Sequence, residues 1–276
     1  MILDKIAAST RSRVEKAKEQ LPLEELKQMI YGVEGMKSFH CRNAFAFERA
    51  LKKNGSLIKE GNTISFICEV KKASPSKGLI AEDFPYLTIA KDYEKAGAEA
   101  ISVLTEPEYF LGEDRYLTEI SRAVSIPVLR KDFIVDEYQI YEAKLIGADA
   151  VLFLCSLLDT ATIKRYLRLC NELGLSALVE AHSEVEVRSA IDAGARVIGV
   201  NNRDLYTFEV DMNNSIRLRN HVPGDIIFVA ESGIRTREDI ASLCEAGVDA
   251  VLIGETLMRS TDKKKELSRL RGKDEF

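Results

Sequence analysis

The chain predicts an α/β fold, a (β/α)8 TIM barrel with an N-terminal helical extension. Three observations carry that prediction. A weak internal repeat recurs at AGAEAISVLTE (96–106), IGADAVLFLCS (146–156), AGARVIGVNNR (193–203) and AGVDAVLIGET (246–256). Its glycines Gly97, Gly147, Gly194 and Gly247 lie about 50 residues apart, long for one βα unit and right for two. Further apolar runs at 125–131, 173–181 and 223–232, with ISFICEVK (64–71) in front, bring the strand count to eight, and helical patterns fill the gaps between them.

The first 60 residues precede the first barrel strand. They read as helices near 2–19, near 22–31 after Pro22, and near 43–53. Residues 1–60 are therefore taken as an extension and 61–276 as the barrel, one domain overall. Such an extension either plugs the bottom of the barrel, forms an interface, or covers the top. In each repeat the glycine suits a helix C′ position with positive φ, and the apolar run after it suits a strand buried on both faces. The intervening helices fall at 86–97, 115–124, 136–147, 160–174, 183–194, 213–221 and 236–247. An open doubly wound sheet is the alternative, disfavoured because no GxGxxG follows the first strand. The last stretch, DKKKELSRLRGKDEF, reads as a charged helix end or a frayed tail.

With 276 residues, 46% of them hydrophobic, the chain can bury a large core. A net charge of -5 and a pI near 5.5 argue against nucleic acid as the main partner, while leaving room for a locally basic pocket. Cys41, Cys68, Cys155, Cys170 and Cys244 form no CxxC and read as small core residues of a reducing compartment. His40, His182 and His221 share no ligand spacing, so no metal site is expected. The first residues carry acids and lack the apolar run of a signal peptide, and no stretch approaches about 20 apolar residues. A cytoplasmic protein without a membrane segment is expected.

Polar residues close five of the strand runs: Glu69 and Lys71, Lys131, Glu180, Asn201 and Glu231. Buried charges are costly unless they meet one another or a ligand. Strand alternation sends Glu69 and Lys71 to one side and Val70 to the other, and in a barrel these strand ends converge at the C-terminal mouth. A self-neutralising ion-pair cluster is the structural alternative, but buried pairs stabilise weakly. A set of acids and bases around one substrate accounts better for the repetition, and such crowding is expected to move pKa values toward neutrality.

The ESG at 231–233 and the IGET at 253–256 end the seventh and eighth strands, where barrels commonly hold phosphate through backbone N–H groups. Ser74 in the loop KASPSKG (72–78) is a further anion donor. Arg203 suits a phosphate, a carboxylate or a loop salt bridge. Phe133 suits a pocket wall or plain packing. His182 follows Glu180 but has the parity of a loop residue, and is left outside the site.

EVKKASPSKG (69–78), LRKDFIVDEYQIYEA (129–143), LVEAHSEVE (178–186), IGVNNRDLYTFEVD (199–211), VAESGI (229–234) and VLIGETLM (251–258) together resemble the indole-3-glycerol phosphate synthases of tryptophan biosynthesis, and NAFAFERAL (43–51) extends the likeness into the leading segment. The resemblance implies a carboxy-lyase without a cofactor. It closes the ring of 1-(2-carboxyphenylamino)-1-deoxyribulose 5-phosphate with loss of carbon dioxide and water. It makes Lys131 the general acid at the ribulose carbonyl, Lys71 a helper near the anthranilate carboxylate, and Glu180 the acid/base of dehydration. Glu69 and Asn201 would orient the lysines, and Glu231 would hold substrate hydroxyls. Ser74, Ser232, Gly233, Gly254 and Glu255 would bind phosphate, with Arg203 and Phe133 lining the pocket. Glu255 stands where a serine is common in the family. Another phosphosugar enzyme on the same barrel, including a lysine Schiff-base enzyme, and a silent binding barrel are the rival readings. Association with other enzymes of the pathway is left open by the sequence.

Overall fold

The computed structural model describes residues 2–32, 42–52, 64–204 and 207–272. His40, Cys41, residue 53 of the third predicted helix and the expected boundary at 60/61 lie outside the described residues. The strands are β1 (Ser65–Val70), β2 (Ala73–Ser74), β3 (Gly78–Leu79), β4 (Ala100–Leu104), β5 (Val128–Lys131), β6 (Ala150–Leu154), β7 (Ser176–Ala181), β8 (Val197–Asn201), β9 (Ile227–Glu231) and β10 (Ala250–Ile253). β2 and β3 make a small antiparallel hairpin within the loop after β1. The other eight close a parallel barrel in which β1 pairs with both β4 and β10. That closure excludes the open sheet.

Alternation along the strands divides their side chains into two sets. Ile67, Leu129, Leu152, Leu178, Val229 and Leu252 fill the barrel interior. Phe66, Cys68, Val70, Val103, Val151 and Phe228 face the helices. Both faces are dry, which is why these runs are continuously apolar.

The repeat glycines adopt φ between 78° and 92°, as helix-stopping positions require. The polar position after them has its own structural role. Glu99, Asp149 and Asp249 accept hydrogen bonds from the backbone N–H groups of Phe66, Val128 and Phe228, at 2.7, 2.9 and 2.9 Å. Each carboxylate thus ties the start of one strand to the strand beside it. In the third repeat Arg196 stands at this position and pairs with Glu48 at 2.8 Å.

The helices are α1 (Ile2–Gln20), α2 (Leu23–Tyr31), α3 (Ala46–Leu51), α4 (Tyr86–Lys95), α5 (Asp114–Ala123), α6 (Tyr138–Leu145), α7 (Thr160–Leu173), α8 (Glu184–Ala193), α9 (Asn213–Arg219), α10 (Arg237–Glu245), α11 (Glu255–Arg259) and α12 (Lys263–Leu270). Local chemistry sets several starts. Asp159 caps α7, Ser183 caps α8, and Thr236 with Asp239 forms a capping box on α10. The charged end of the chain is no frayed tail over its described part: α12 buries Leu267 and Leu270, and Arg271 pairs with Glu99 at 2.8 Å.

The extension does two of the three things expected of it as alternatives. Leu3 joins the interior cluster, and Ile2, Leu3 and Ile6 of α1 line the mouth of the barrel. At the opposite end Phe47 and Leu51 of α3 are fully buried in the same interior cluster. The Glu48 N–H donates to Ser176 Oγ at 3.4 Å and Ser65 Oγ donates to the Leu51 carbonyl at 3.4 Å, both at strand starts. One helix covers the top and another plugs the bottom.

Candidate active site

Every site residue expected from the sequence lines one pocket at the C-terminal mouth: Glu69, Lys71, Ser74, Lys131, Phe133, Glu180, Asn201, Arg203, Glu231, Ser232, Gly233, Gly254 and Glu255. The barrel register brings them together. Asn201 of β8 lies beside Glu231 of β9, Glu180 of β7 beside Gly199, and Glu231 beside Leu252 of β10.

Lys131 is the hub. Its ammonium donates to Glu180 Oε2 at 3.1 Å and to Glu231 Oε2. Asn201 Nδ2 donates to Glu180 Oε1 at 3.1 Å, and its own Oδ1 accepts from the Arg203 N–H at 3.0 Å. Lys71 pairs with Glu69. Two glycines make room for these carboxylates. A Cβ on Gly199 would come within 2.2 Å of Glu231 Oε1, and one on Gly254 within 2.3 Å of Glu69 Oε1 and 3.0 Å of Lys71 Nζ. The side chains therefore lie flat against neighbouring backbone.

Electrostatics separate the acids. Burial opposes the Lys131 charge, but Glu231, Glu180 and Glu69 outweigh it and raise its pKa, so the lysine stays protonated through neutral pH. Burial likewise opposes the charge on Glu180, yet Lys131, His182 and the Asn201 amide hold its pKa below the ordinary carboxylate value. Glu231 goes the other way. Burial, against the pull of Lys131 and with the push of Glu180 and Glu69, lifts it to about 7. The expected drift toward neutrality is thus found in one carboxylate and not in the lysine, because Lys131 faces several negative groups, Glu180 has both Lys131 and His182 beside it, and Glu231 has Lys131 alone.

The ends of the pocket differ. Phe133 stands 5.9 Å from Phe110, ring centre to ring centre, and with Leu152, Leu154 and Ile6 it makes an apolar wall. At the other side Ser232 and Gly233 turn through left-handed φ of 68° and 83°, close to Gly254 and Ser74 in the lining. Arg203 forms neither a loop salt bridge nor a charge pair among the described residues; its Nη1 donates to the Phe208 carbonyl at 3.0 Å. The Glu255 carboxylate turns to Arg259 at 3.1 Å and Lys77 at 3.6 Å.

Several contributors escaped the sequence reading. Asp132, fully buried, accepts from Arg13 of α1 at 2.8 Å, from Arg130 at 3.3 Å and from Thr105 Oγ1 at 3.1 Å. Burial opposes its charge and the two arginines more than compensate, lowering its pKa. This cluster locks the backbone on either side of Lys131 to the covering helix. The signal was present in the RKD triplet, but the partner Arg13 lies 119 positions away. His182, outside the pocket lining, stands against Glu180 and Glu186. Its Nε2 lies 3.6 Å from Glu180 Oε1 and its Nδ1 3.4 Å from Glu186 Oε2.

A family model described as "Indole-3-glycerol phosphate synthase" matches residues 3–270. A protein of that name from Ruminiclostridium cellulolyticum is 61% identical over 272 residues, covering 99% of each chain. One from Lachnoclostridium phytofermentans is 52% identical over 269 residues, covering 96% of each. Among solved structures, a 3-hexulose-6-phosphate synthase superposes with a TM-score of 0.62 at 16% identity, over 76% of this chain and 99% of its own, a likeness of fold alone. Two strands of evidence, the mouth of opposed acids and lysines and the match along nearly the whole length, agree: the chain belongs to the indole-3-glycerol phosphate synthase family.

Proposed function

We propose that this pocket closes the indole ring of 1-(2-carboxyphenylamino)-1-deoxyribulose 5-phosphate with Lys131 as the general acid. The reaction class follows from family membership: a carbon–carbon lyase of tryptophan biosynthesis that releases carbon dioxide and water. The observation that carries the assignment of the acid is the pairing of a buried, fully protonated Lys131 with two carboxylates of opposite tendency. As the aromatic carbon attacks the ribulose carbonyl, Lys131 gives its proton to the carbonyl oxygen. Carbon dioxide then leaves, its bonding electrons restoring the aromatic ring. Glu180, held ionised, takes a proton from the neighbouring carbon and delivers it to the departing hydroxyl, completing dehydration.

Asn201 fixes the Glu180 carboxylate for those transfers, and Glu69 orients Lys71. Lys71, beside Gly254, stands as a cation between the two anionic ends of the substrate and serves its carboxylate. Glu231 holds substrate hydroxyls when the substrate displaces it from Lys131. Ser74, Ser232, Gly233 and Gly254 cradle the phosphate, chiefly by backbone N–H groups. Glu255 contributes its backbone there, since its carboxylate is already engaged by Lys77 and Arg259. Phe133 and Phe110 receive the anthranilate ring, and Arg203 borders it.

No cofactor enters this scheme. The partner is a small phosphorylated molecule, and with a net charge of -5 nucleic acid is not expected. No helix among the described residues is long and apolar enough to cross a membrane. Among the described residues Cys68, Cys155 and Cys170 are free thiols, which supports a cytoplasmic site of action.

The test is turnover of the carboxyphenylamino-deoxyribulose phosphate followed by indole fluorescence, seen cleanly because the chain has no tryptophan. Lys131→Ala is expected to retain a cooperative melt and to lose about 10²–10⁴-fold in kcat. Near wild-type turnover in that variant would sink the assignment of the acid.

A further inference from the structure

His182 does not line the pocket, yet it touches the catalytic carboxylate from behind. Its Nε2 is buried without a hydrogen-bond partner among the described residues and lies 3.6 Å from Glu180 Oε1. Its Nδ1 lies 3.4 Å from Glu186 Oε2, on a side chain that is 24% exposed. Glu186 is fixed there because the His182 backbone N–H donates to the same oxygen at 2.6 Å and the Glu186 N–H donates to the Ser183 cap. From Glu186 the groups stand in line inward: His182 at 3.4 Å, Glu180 a further 3.6 Å from the ring, and Lys131 Nζ hydrogen-bonded to Glu180 at 3.1 Å.

The chemistry supplies a use for this chain of groups. The substrate carboxylate departs as neutral carbon dioxide, so each turnover takes up one proton. Lys131 loses that proton to the carbonyl oxygen, where it leaves as part of the water formed. Glu180 takes one proton and gives it up again, which leaves Lys131 as the group to be recharged. During the reaction the mouth is filled by substrate and covered by α1.

We propose that His182 is a proton-relay residue that recharges Lys131 through Glu180, along a path from Glu186 separate from the substrate mouth. The imidazolium gives its Nε2 proton to Glu180, which passes one to the Lys131 amine. The ring regains a proton from water at the Glu186 side, by rotation. No bond between heavy atoms changes and no other reactant is needed. The groups whose fields reach the ring are Glu180, Glu186 and Glu231; burial works against its charge, but these carboxylates raise its pKa above the ordinary histidine value, keeping a proton available near neutrality. His182 acts through Glu180 and is not itself in contact with substrate. The inference rests on the reading of Lys131 and Glu180 above.

The experiment compares single turnover, with enzyme in excess, against steady-state turnover for the full chain and His182→Ala. The first turnover uses the proton already on Lys131, so its rate should stay within about twofold of wild type. Steady-state kcat should fall about tenfold, within the range of a proton-transfer contribution, and added imidazole should restore most of it. If both rates match wild type, or if both fall together without response to imidazole, the relay is overturned, the second result leaving His182 a purely structural neighbour. Should His182→Ala melt too low to assay, Glu186→Gln reads the same relay from its outer end, with the same two outcomes. A wild-type chain that makes no indole product would remove the site reading itself, a failure distinct from that of the relay.

Discussion

At the residue scale, Glu231 contributes to how the protein responds to pH near neutrality. Folding moves its pKa from an ordinary carboxylate value of 4.5 up to about 7. Between those values the folded chain holds a proton that the unfolded chain has released, so the contribution favours folding at the lower end and is lost as pH rises through about 7. Glu180 and Asp132, whose pKa values fall on folding, act oppositely and only at more acid pH. Glu231→Gln is therefore expected to flatten the decline of melting temperature between about pH 5 and 8, by thermal melts across that range. An undiminished decline would mean that another group holds the proton. Gly199→Ala offers a steric probe of the same carboxylate. Its Cβ meets the flexible end of Glu231, so stability should change by only about 1 kcal/mol while kcat falls clearly, read by fluorescence turnover beside a urea melt. The positions of these side chains were legible from strand parity alone. Their protonation was not, because it depends on how many opposite charges each one faces. His182 lies just past β7 and outside the pocket lining, as its parity indicated; that its ring turns back against Glu180 was not legible, because the turn into α8 sets its direction.

At the element scale, α1 is fastened to the strand that bears Lys131. Arg13 forks onto Asp132, and Lys18 reaches Asp136 at 2.8 Å. Asp132 keeps Arg130 when Arg13 is removed, so the barrel survives and only the cover loosens. Arg13→Ala should then raise KM roughly tenfold, equivalent to about 1.4 kcal/mol of substrate binding, with a smaller change in kcat. An unchanged KM in steady-state assays would show that α1 is inert toward substrate. The seven inter-strand helices were readable because glycine stops and apolar periodicity are local signals. The docking of α12 was obscured by its run of lysines, although Leu267 and Leu270 supply the buried face that ties it down.

At the scale of the whole molecule, the two ends of the barrel are closed by different parts of the extension, and they should fail differently. Truncating Leu51, fully buried in the plug, should cost about 2–5 kcal/mol in a urea melt and leave KM near wild type. A large KM change in Leu51→Ala would mean that the bottom of the barrel communicates with the mouth. By itself the sequence determined the eight strands, the helices between them, and the gathering of these acids, lysines and amide at the C-terminal mouth, because each rests on short-range periodicity and the alternation of a strand. Only the tertiary structure decided that the extension both covers and plugs, that Arg13 reaches Asp132, that Glu231 and not Lys131 titrates near neutrality, and that His182 stands behind Glu180. Those depend on distances between residues far apart in the chain and on the dielectric of the place where they meet.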